Sequence, residues 1–219
     1  MNMPRAKLAP GERFHIYNRG LEKRAMFHDD TDYARMLFYI LFLQSPVPVH
    51  NISRIVAGFR KNGIFAAAPE TLERLIKNRT VELELFSLMP NHFHLGVRER
   101  KKGGISSYLQ RVQIALTKYY NIRYKRSGYL LQGPFQSVHV ETNEQFLHLS
   151  AYVHRNAREL SRWKLKEHRY PWSSYQDYIT ENRWGKLLVT KAIAEQFSSL
   201  SEYKHFVETS GTKADKYET

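Results

Sequence analysis

The stretch Val81-Glu82-Leu83-Glu84-Leu85-Phe86-Ser87-Leu88-Met89-Pro90-Asn91-His92-Phe93-His94-Leu95-Gly96-Val97 carries the pattern on which the fold turns. Apolar and polar residues alternate with period two from Val81, and the run continues to Met89, which predicts a strand. Pro90-Asn91 is a turn signal, and alternation resumes from His92 to Val97. The two runs predict an antiparallel pair. In the second strand Phe93, Leu95 and Val97 point to one face, the presumed core. His92 and His94 point to the other, ~6.5–7 Å apart along the chain. Two imidazoles so placed can share a metal ion if another element brings a third ligand. The spacing alone is weak, because 10 histidines in 219 residues give about half a His-x-His per chain by chance.

Outward from this pair the chain reads as alternating short elements. Phe14-His15-Ile16-Tyr17-Asn18-Arg19-Gly20 is rich in aromatic and β-branched residues and stops at glycine, a strand. Asp29-Asp30-Thr31-Asp32 supplies N-cap chemistry for a helix through Tyr33, Met36, Leu37, Ile40 and Leu41 to about Leu43. Residues 45–79 form an excursion in which Ile52 to Phe59 and Pro69 to Lys77 read as short helices. After Gly103-Gly104 a long helix carries the stripe Ile105, Tyr108, Leu109, Val112, Leu116 and Tyr119. Phe135 to Val140 reads as a strand. Thr142-x-x-Gln145 is a capping box for a helix to about Leu160. A last helical segment spans Val189 to Val207, and a loose polar tail follows from Thr209. The order predicts an α+β fold, an antiparallel sheet with helices on one face.

Composition narrows the class. Lys and Arg number 34 against 21 Asp and Glu, a net charge of +13, which favours a polyanionic partner, most often nucleic acid. The excess is densest from Arg98 to Arg126. There Arg98, Arg100, Lys101, Lys102, Arg111, Lys118, Arg123, Lys125 and Arg126 face one acid, Glu99, and form the expected polyanion track. With no cysteine, disulfides, zinc ribbons, Fe–S clusters and thiol catalysis are excluded. No apolar run approaches the ~20 residues of a membrane span. Met1-Asn2-Met3-Pro4-Arg5 lacks the apolar core of a secretion signal, so the expected compartment is the cytoplasm.

In the helix from Asn143, residues Phe146, Leu149, Val153, Ala157 and Leu160 make an apolar stripe. Tyr152 and Asn156, at i and i+4, stack on its flank, where they can face across to the sheet. Asn156 could there give an amide oxygen to a metal while Tyr152 holds its hydroxyl one turn away. By the residues alone, Tyr152 reads equally as an amphipathic cover of the core edge. His148 shares a neighbouring face as surface polarity, and His154 points away from Tyr152 into solvent. Tyr108 and Tyr119 belong to the core, Tyr120 and Tyr124 lie where they could stack on bases, and Arg19, Arg24 and Tyr17 are further contact candidates.

Leu88-Met89-Pro90-Asn91-His92-Phe93-His94-Leu95 resembles the signature of single-tyrosine HUH transposases, closest to the REP-associated tyrosine transposases. The resemblance extends through Phe14 to Gly20, Phe27 to Tyr33, Tyr119-Tyr120-Asn121, Ser127 to Gly133, Tyr152-Val153-His154-Arg155-Asn156 and Pro171-Trp172-Ser173-Ser174-Tyr175. These blocks run in family order over roughly residues 12–178. Leu131 and Pro134 stand where the family pattern has Trp and Arg, and Ala157 where it has Pro. The resemblance implies a ferredoxin-like, RRM-like HUH endonuclease fold, with a catalytic domain over 1–180 and a helical extension over 181–219. It implies Tyr152 as nucleophile, with one divalent ion, Mg²⁺ or Mn²⁺, on His92, His94 and Asn156. The expected partner is single-stranded DNA beside a hairpin, with a homodimer as an open possibility. The expected reaction is nicking and strand transfer through a 5′-phosphotyrosine in DNA transposition. A hairpin-binding regulator that does not cut, and a metal phosphoesterase using water, are the competing readings.

Overall fold

The computed structural model describes residues 8–211. Strand β1 (Arg13–Arg19) is followed by helix α1 (Asp30–Phe42), and an excursion carries α2 (Ile52–Asn62) and α3 (Pro69–Asn78). Strands β2 (Val81–Met89) and β3 (His92–Glu99) form the predicted pair, and α4 (Gly104–Arg123) follows. Then come β4 (Gln136–Val140), α5 (Asn143–Arg155) and α6 (Tyr175–Ile179). The single C-terminal helical segment expected from Val189 is two helices, α7 (Lys191–Ala194) and α8 (Leu200–Thr209). Ser199, whose side chain accepts from Glu202 N, starts α8 afresh. The expected tail beyond residue 211 lies outside the described residues. No helix among those described is long and apolar enough to cross a membrane.

The sheet is antiparallel throughout, in the order β2-β3-β1-β4. One face buries Phe14, Ile16, Phe93, Leu95 and Val97 against α1 and α4, the expected helical layer. On the other face α5 crosses part of the sheet, packing Phe146, Leu149 and Val153 with Leu85 and with residues of α6 and α8. Both helices begin as their sequences predict. Asp29 accepts from Thr31 N and Asp32 N, and Thr142 and Gln145 cap each other reciprocally.

β2 departs from simple alternation. Leu83 pairs with Val97 and Leu85 with Gly96, so Glu84 is the extra residue of a β-bulge. The parity change turns Leu85 toward α5, whereas Leu83 stays in the α1/α4 core. Gly96 makes room for it, since a Cβ there would lie 2.6 Å from Leu85 Cγ. Gly96→Ala is therefore expected to cost about 2 kcal/mol in urea denaturation, with most of the loss removed in a Leu85→Ala background. Equal penalties in both backgrounds would disprove this contact.

The bulge also sets a buried charge. Arg13 Nε lies 3.0 Å from Glu84, which is 1% exposed, and burial pushes this carboxyl up to about 7 against the pull of Arg13. A folded-state value above the unfolded one stabilises at low pH. The contribution is complete below about 4.5 and is lost as pH rises through 7. Relative to Glu84→Gln, wild type is expected to lose about 3 kcal/mol between pH 4.5 and pH 8. A constant difference across that range would refute the buried-carboxyl account.

The excursion is built into the body of the protein. Phe59 stacks on Phe65 at 4.2 Å, Phe65 lies 5.8 Å from Trp184, and Gln44 Nε2 donates to Leu187 O at 2.7 Å. Backbone N–H groups of Ser174 and Val189 donate to Phe86 O and Leu83 O, each at 2.9 Å, so the outer edge of β2 is covered.

Candidate active site

The face of the sheet under α5 gathers the polar side chains. β3 sends His92 and His94 there, and β1, paired antiparallel to it, places Tyr17 opposite His94 and Arg19 opposite His92. His15, two residues before Tyr17 on the same face, brings its Nε2 to 2.9 Å from His94 Nδ1. His15 is fully buried, and burial pushes it down to about 3. His94, 1% exposed, is held well below the usual range by burial first, then by repulsion from His15, His92 and Arg19. Both rings are therefore neutral at pH 7, the form in which imidazole binds metals.

From above, α5 lowers Tyr152 and Asn156 onto these rings. The α-helix ends at Arg155, short of the expected Leu160, and Asn156–Glu159 continue as a 3-10 turn that keeps Asn156 on the sheet-facing side. The Tyr152 ring stands edge-on to His94 at 5.4 Å and to His15 at 6.1 Å. Asn156 Oδ1 lies 3.0 Å from His92 Nε2. Tyr152 and Asn156 are 6% and 4% exposed, so the site sits at the floor of a depression. A cleft of about 200 Å³ opens over it from the side of Tyr17, Arg19, Lys23 and the two histidines.

The donor pattern tests whether these residues suit a cation. Asn91 Nδ2 donates to Lys23 O, which leaves Asn91 Oδ1 as the acceptor for His92 Nδ1 at 2.8 Å. His92 Nε2 and Asn156 Oδ1 then face each other across the site. Asn156 Nδ2 is buried with no hydrogen-bond partner. The 3.0 Å separation of His92 Nε2 and Asn156 Oδ1 matches that of neighbouring ligands of an octahedral ion with bonds of about 2.1 Å. The set fits a hard divalent cation. Among the described residues no cluster of three or more His, Asp or Glu is arranged to hold a metal, and the third ligand beside the two histidines would be the Asn156 amide.

Several expectations are revised by the packing. His154 is fully buried rather than solvated, with Nδ1 2.6 Å from Tyr203 Oη and Nε2 2.8 Å from Ser174 Oγ. The side of α5 turned from Tyr152 meets α8 and the 173–178 segment, a second core that replaces solvent. Tyr120 and Tyr124 are held by the fold rather than offered to bases. Tyr120 Oη lies 2.7 Å from His28 Nε2, and Tyr124 Oη donates to Asp32 at 2.6 Å. Tyr119, expected in the apolar core, is half-buried and its hydroxyl donates to the same aspartate at 2.8 Å.

The nine-cation track divides. Arg98 and Arg100 pair with Glu82, Arg111 donates to Leu43 O, and Arg123 bridges Asp29 and Asp32. The Arg126 guanidinium lies 5.4 Å from the centre of the Tyr120 ring. Lys101, Lys102, Lys118 and Lys125 are exposed. Sequence reasoning does not single out His15, although His15-x-Tyr17 repeats on β1 the period-two spacing of His92-x-His94 on β3. It also passes over Arg155, Arg158 and Lys164 beside Tyr152.

No family model matches the chain, and no curated protein sequence matches it. The fold does have a counterpart: it is similar to a solved structure described as the REP-associated tyrosine transposase bound to a REP hairpin. The TM-score is 0.57 at 13% identity, covering 91% of this chain and 96% of that one. The four-stranded antiparallel sheet with its helices is the part of the architecture that the two share. The description of that structure names the family that the sequence motifs resemble.

Proposed function

We propose that this chain is a transposase that nicks and rejoins single-stranded DNA beside a hairpin, with Tyr152 as nucleophile and His92, His94 and Asn156 holding one Mg²⁺ or Mn²⁺. The observation that carries the reading is the convergence on one sheet face of the His92–Asn156 contact and the Tyr152–His94 ring contact. The hairpin-bound state of the structural neighbour and the net charge of +13 support a DNA partner.

The residues divide the work as follows. His15 fixes the His94 ring through the Nε2···Nδ1 contact, and Asn91 fixes His92; with the proton on Nδ1, each imidazole presents Nε2 as its lone-pair nitrogen. A divalent ion held by His92, His94 and Asn156 would supply neutralisation of charge on the scissile phosphate. Tyr152 Oη attacks phosphorus and loses its proton. The P–O3′ bond breaks, and the departing 3′ oxygen takes up a proton to become a free hydroxyl. The new phosphotyrosine keeps the phosphodiester's energy, so a 3′-OH can attack it, restore Tyr152 and join strands without ATP. Burial of the tyrosine at the foot of the cleft suits an extended single strand, whose sugars and phosphates can be drawn in where a duplex cannot.

The test is a covalent-adduct assay. Labelled single-stranded hairpin oligonucleotides from the flanks of the encoding gene are incubated with the protein and Mg²⁺ or Mn²⁺, then run on a denaturing gel. A metal-dependent shifted band is expected. Cleavage with no adduct would favour the phosphoesterase. Tight, salt-sensitive binding without cleavage would favour the hairpin-binding regulator.

A further inference from the structure

An open groove of about 560 Å³ runs from Tyr152 and Asn156 past the C-terminal end of α5. Arg155, Arg158, Ser161 and Lys164 line it, with Glu159 as the one acid. With Arg158 paired to Glu167, Arg155 and Lys164 against Glu159 make it a locally positive channel that begins at the proposed nucleophile. Arg155 Nη1 is buried with no hydrogen-bond partner, a guanidinium donor lacking the acceptor that such groups nearly always have. Burial raises the cost of the Arg155 charge, and repulsion from Arg158 adds to it. Glu167, ion-paired with Arg158, is the acid that offsets it.

The dipole of α5 accounts for a cation in its last turn, at Arg155, but its influence fades within that turn. It does not account for Lys164 or for the Ser161 hydroxyl. Apart from Tyr152, no aromatic ring lines the groove, so it offers charge and hydroxyl donors without a stacking surface for bases. Such a lining suits a chain of phosphates read without regard to sequence.

We infer that this groove binds the phosphodiester backbone of the single strand immediately flanking the scissile phosphate, with Arg155 and Lys164 each contacting a phosphate. The inference rests on the reading of the chain as a single-strand transposase and adds the path of the strand. It puts the grip on the flank at α5 and the turn after it, rather than on the arginines of 98–123 that the fold has already engaged.

The test is equilibrium binding by fluorescence anisotropy in EDTA, so that no cleavage intervenes. The probes are a labelled hairpin with a single-stranded flank of about 10 nucleotides on the 5′ side, one with the flank on the 3′ side, and one with no flank. Wild type is compared with Arg155→Ala, Lys164→Ala, the double variant, and Arg155→Lys. On one flanked probe the double variant is expected to bind about 10-fold more weakly, with a slope of log K against log salt shallower by about 1.4. Binding to the flankless hairpin stays at the wild-type level, Arg155→Lys keeps the wild-type slope, and the sensitive probe gives the strand's polarity. Unchanged slopes on both flanked probes, or an equal loss on the flankless hairpin, would overturn the assignment. The outcome is separable from that of the function itself. Groove-dependent flank binding by a protein that forms no adduct would sink the transposase reading and keep the groove, and an adduct with groove-independent binding would do the reverse.

Discussion

Tyr152→Phe is expected to eliminate the protein–DNA adduct, lowering its yield at least about 10³-fold, because phenylalanine lacks the hydroxyl oxygen on which the bond to phosphorus forms. The substitution removes one atom. The ring, 6% exposed and edge-on to His94 and His15, keeps its packing, so thermal unfolding should move little. That separation between lost chemistry and kept fold makes the variant decisive. The neighbouring candidates are badly placed to take over. Tyr119 and Tyr124 donate to Asp32 and Tyr120 contacts His28, all in the α1/α4 layer, while Tyr152 faces the opposite side of the sheet. An adduct that persists in Tyr152→Phe at wild-type yield would refute the nucleophile.

His92→Ala is expected to raise the Mn²⁺ concentration needed for half-maximal adduct by at least about 100-fold. Residues that merely support a ligand cost 10–100-fold when removed, so removal of a ligand should cost no less. His92 is part-buried, and Asn91, Asn156 and the His94 ring are among its contacts, all on the site side of the sheet, so its loss should leave the α1/α4 core intact. His94→Ala should show the same metal phenotype and also a stability loss of about 1–3 kcal/mol, because it withdraws the Nδ1 partner of the buried His15. His15→Ala should fall between, weakening metal binding by about 10–100-fold while both ligands remain. Adduct formation by His92→Ala at the wild-type metal concentration would exclude His92 from the metal site.

Much of the architecture is legible because it is local. Alternation over 81–97 specifies two strands and a turn, and with them the shared face of His92 and His94. The Thr142–Gln145 box and the stripe from Phe146 specify where α5 begins and that Tyr152 and Asn156 share its flank. Where reading failed, a non-local partner was involved. Nothing near Glu84 announces a bulge, because the extra residue is defined only against Gly96 on the neighbouring strand. His154 looks solvent-facing in a helix considered alone, and becomes core only when α8 and the 173–178 segment cover it. The cations of 98–126 form a single block by count, yet Glu82, Asp29 and Asp32, distant in sequence, claim several of them.

By itself the sequence determined the element types, the pairing of β2 with β3, the geometry of the histidine pair within its strand, and the i, i+4 placement of Tyr152 and Asn156. Each of these depends on backbone periodicity, a property of consecutive residues. Only the tertiary structure decided that α5 lies over the histidine face, that His15 braces His94, and that the unclaimed charge beside the tyrosine belongs to Arg155 and Lys164. Those outcomes depend on which surfaces bury each other, and burial is settled between segments far apart in the chain.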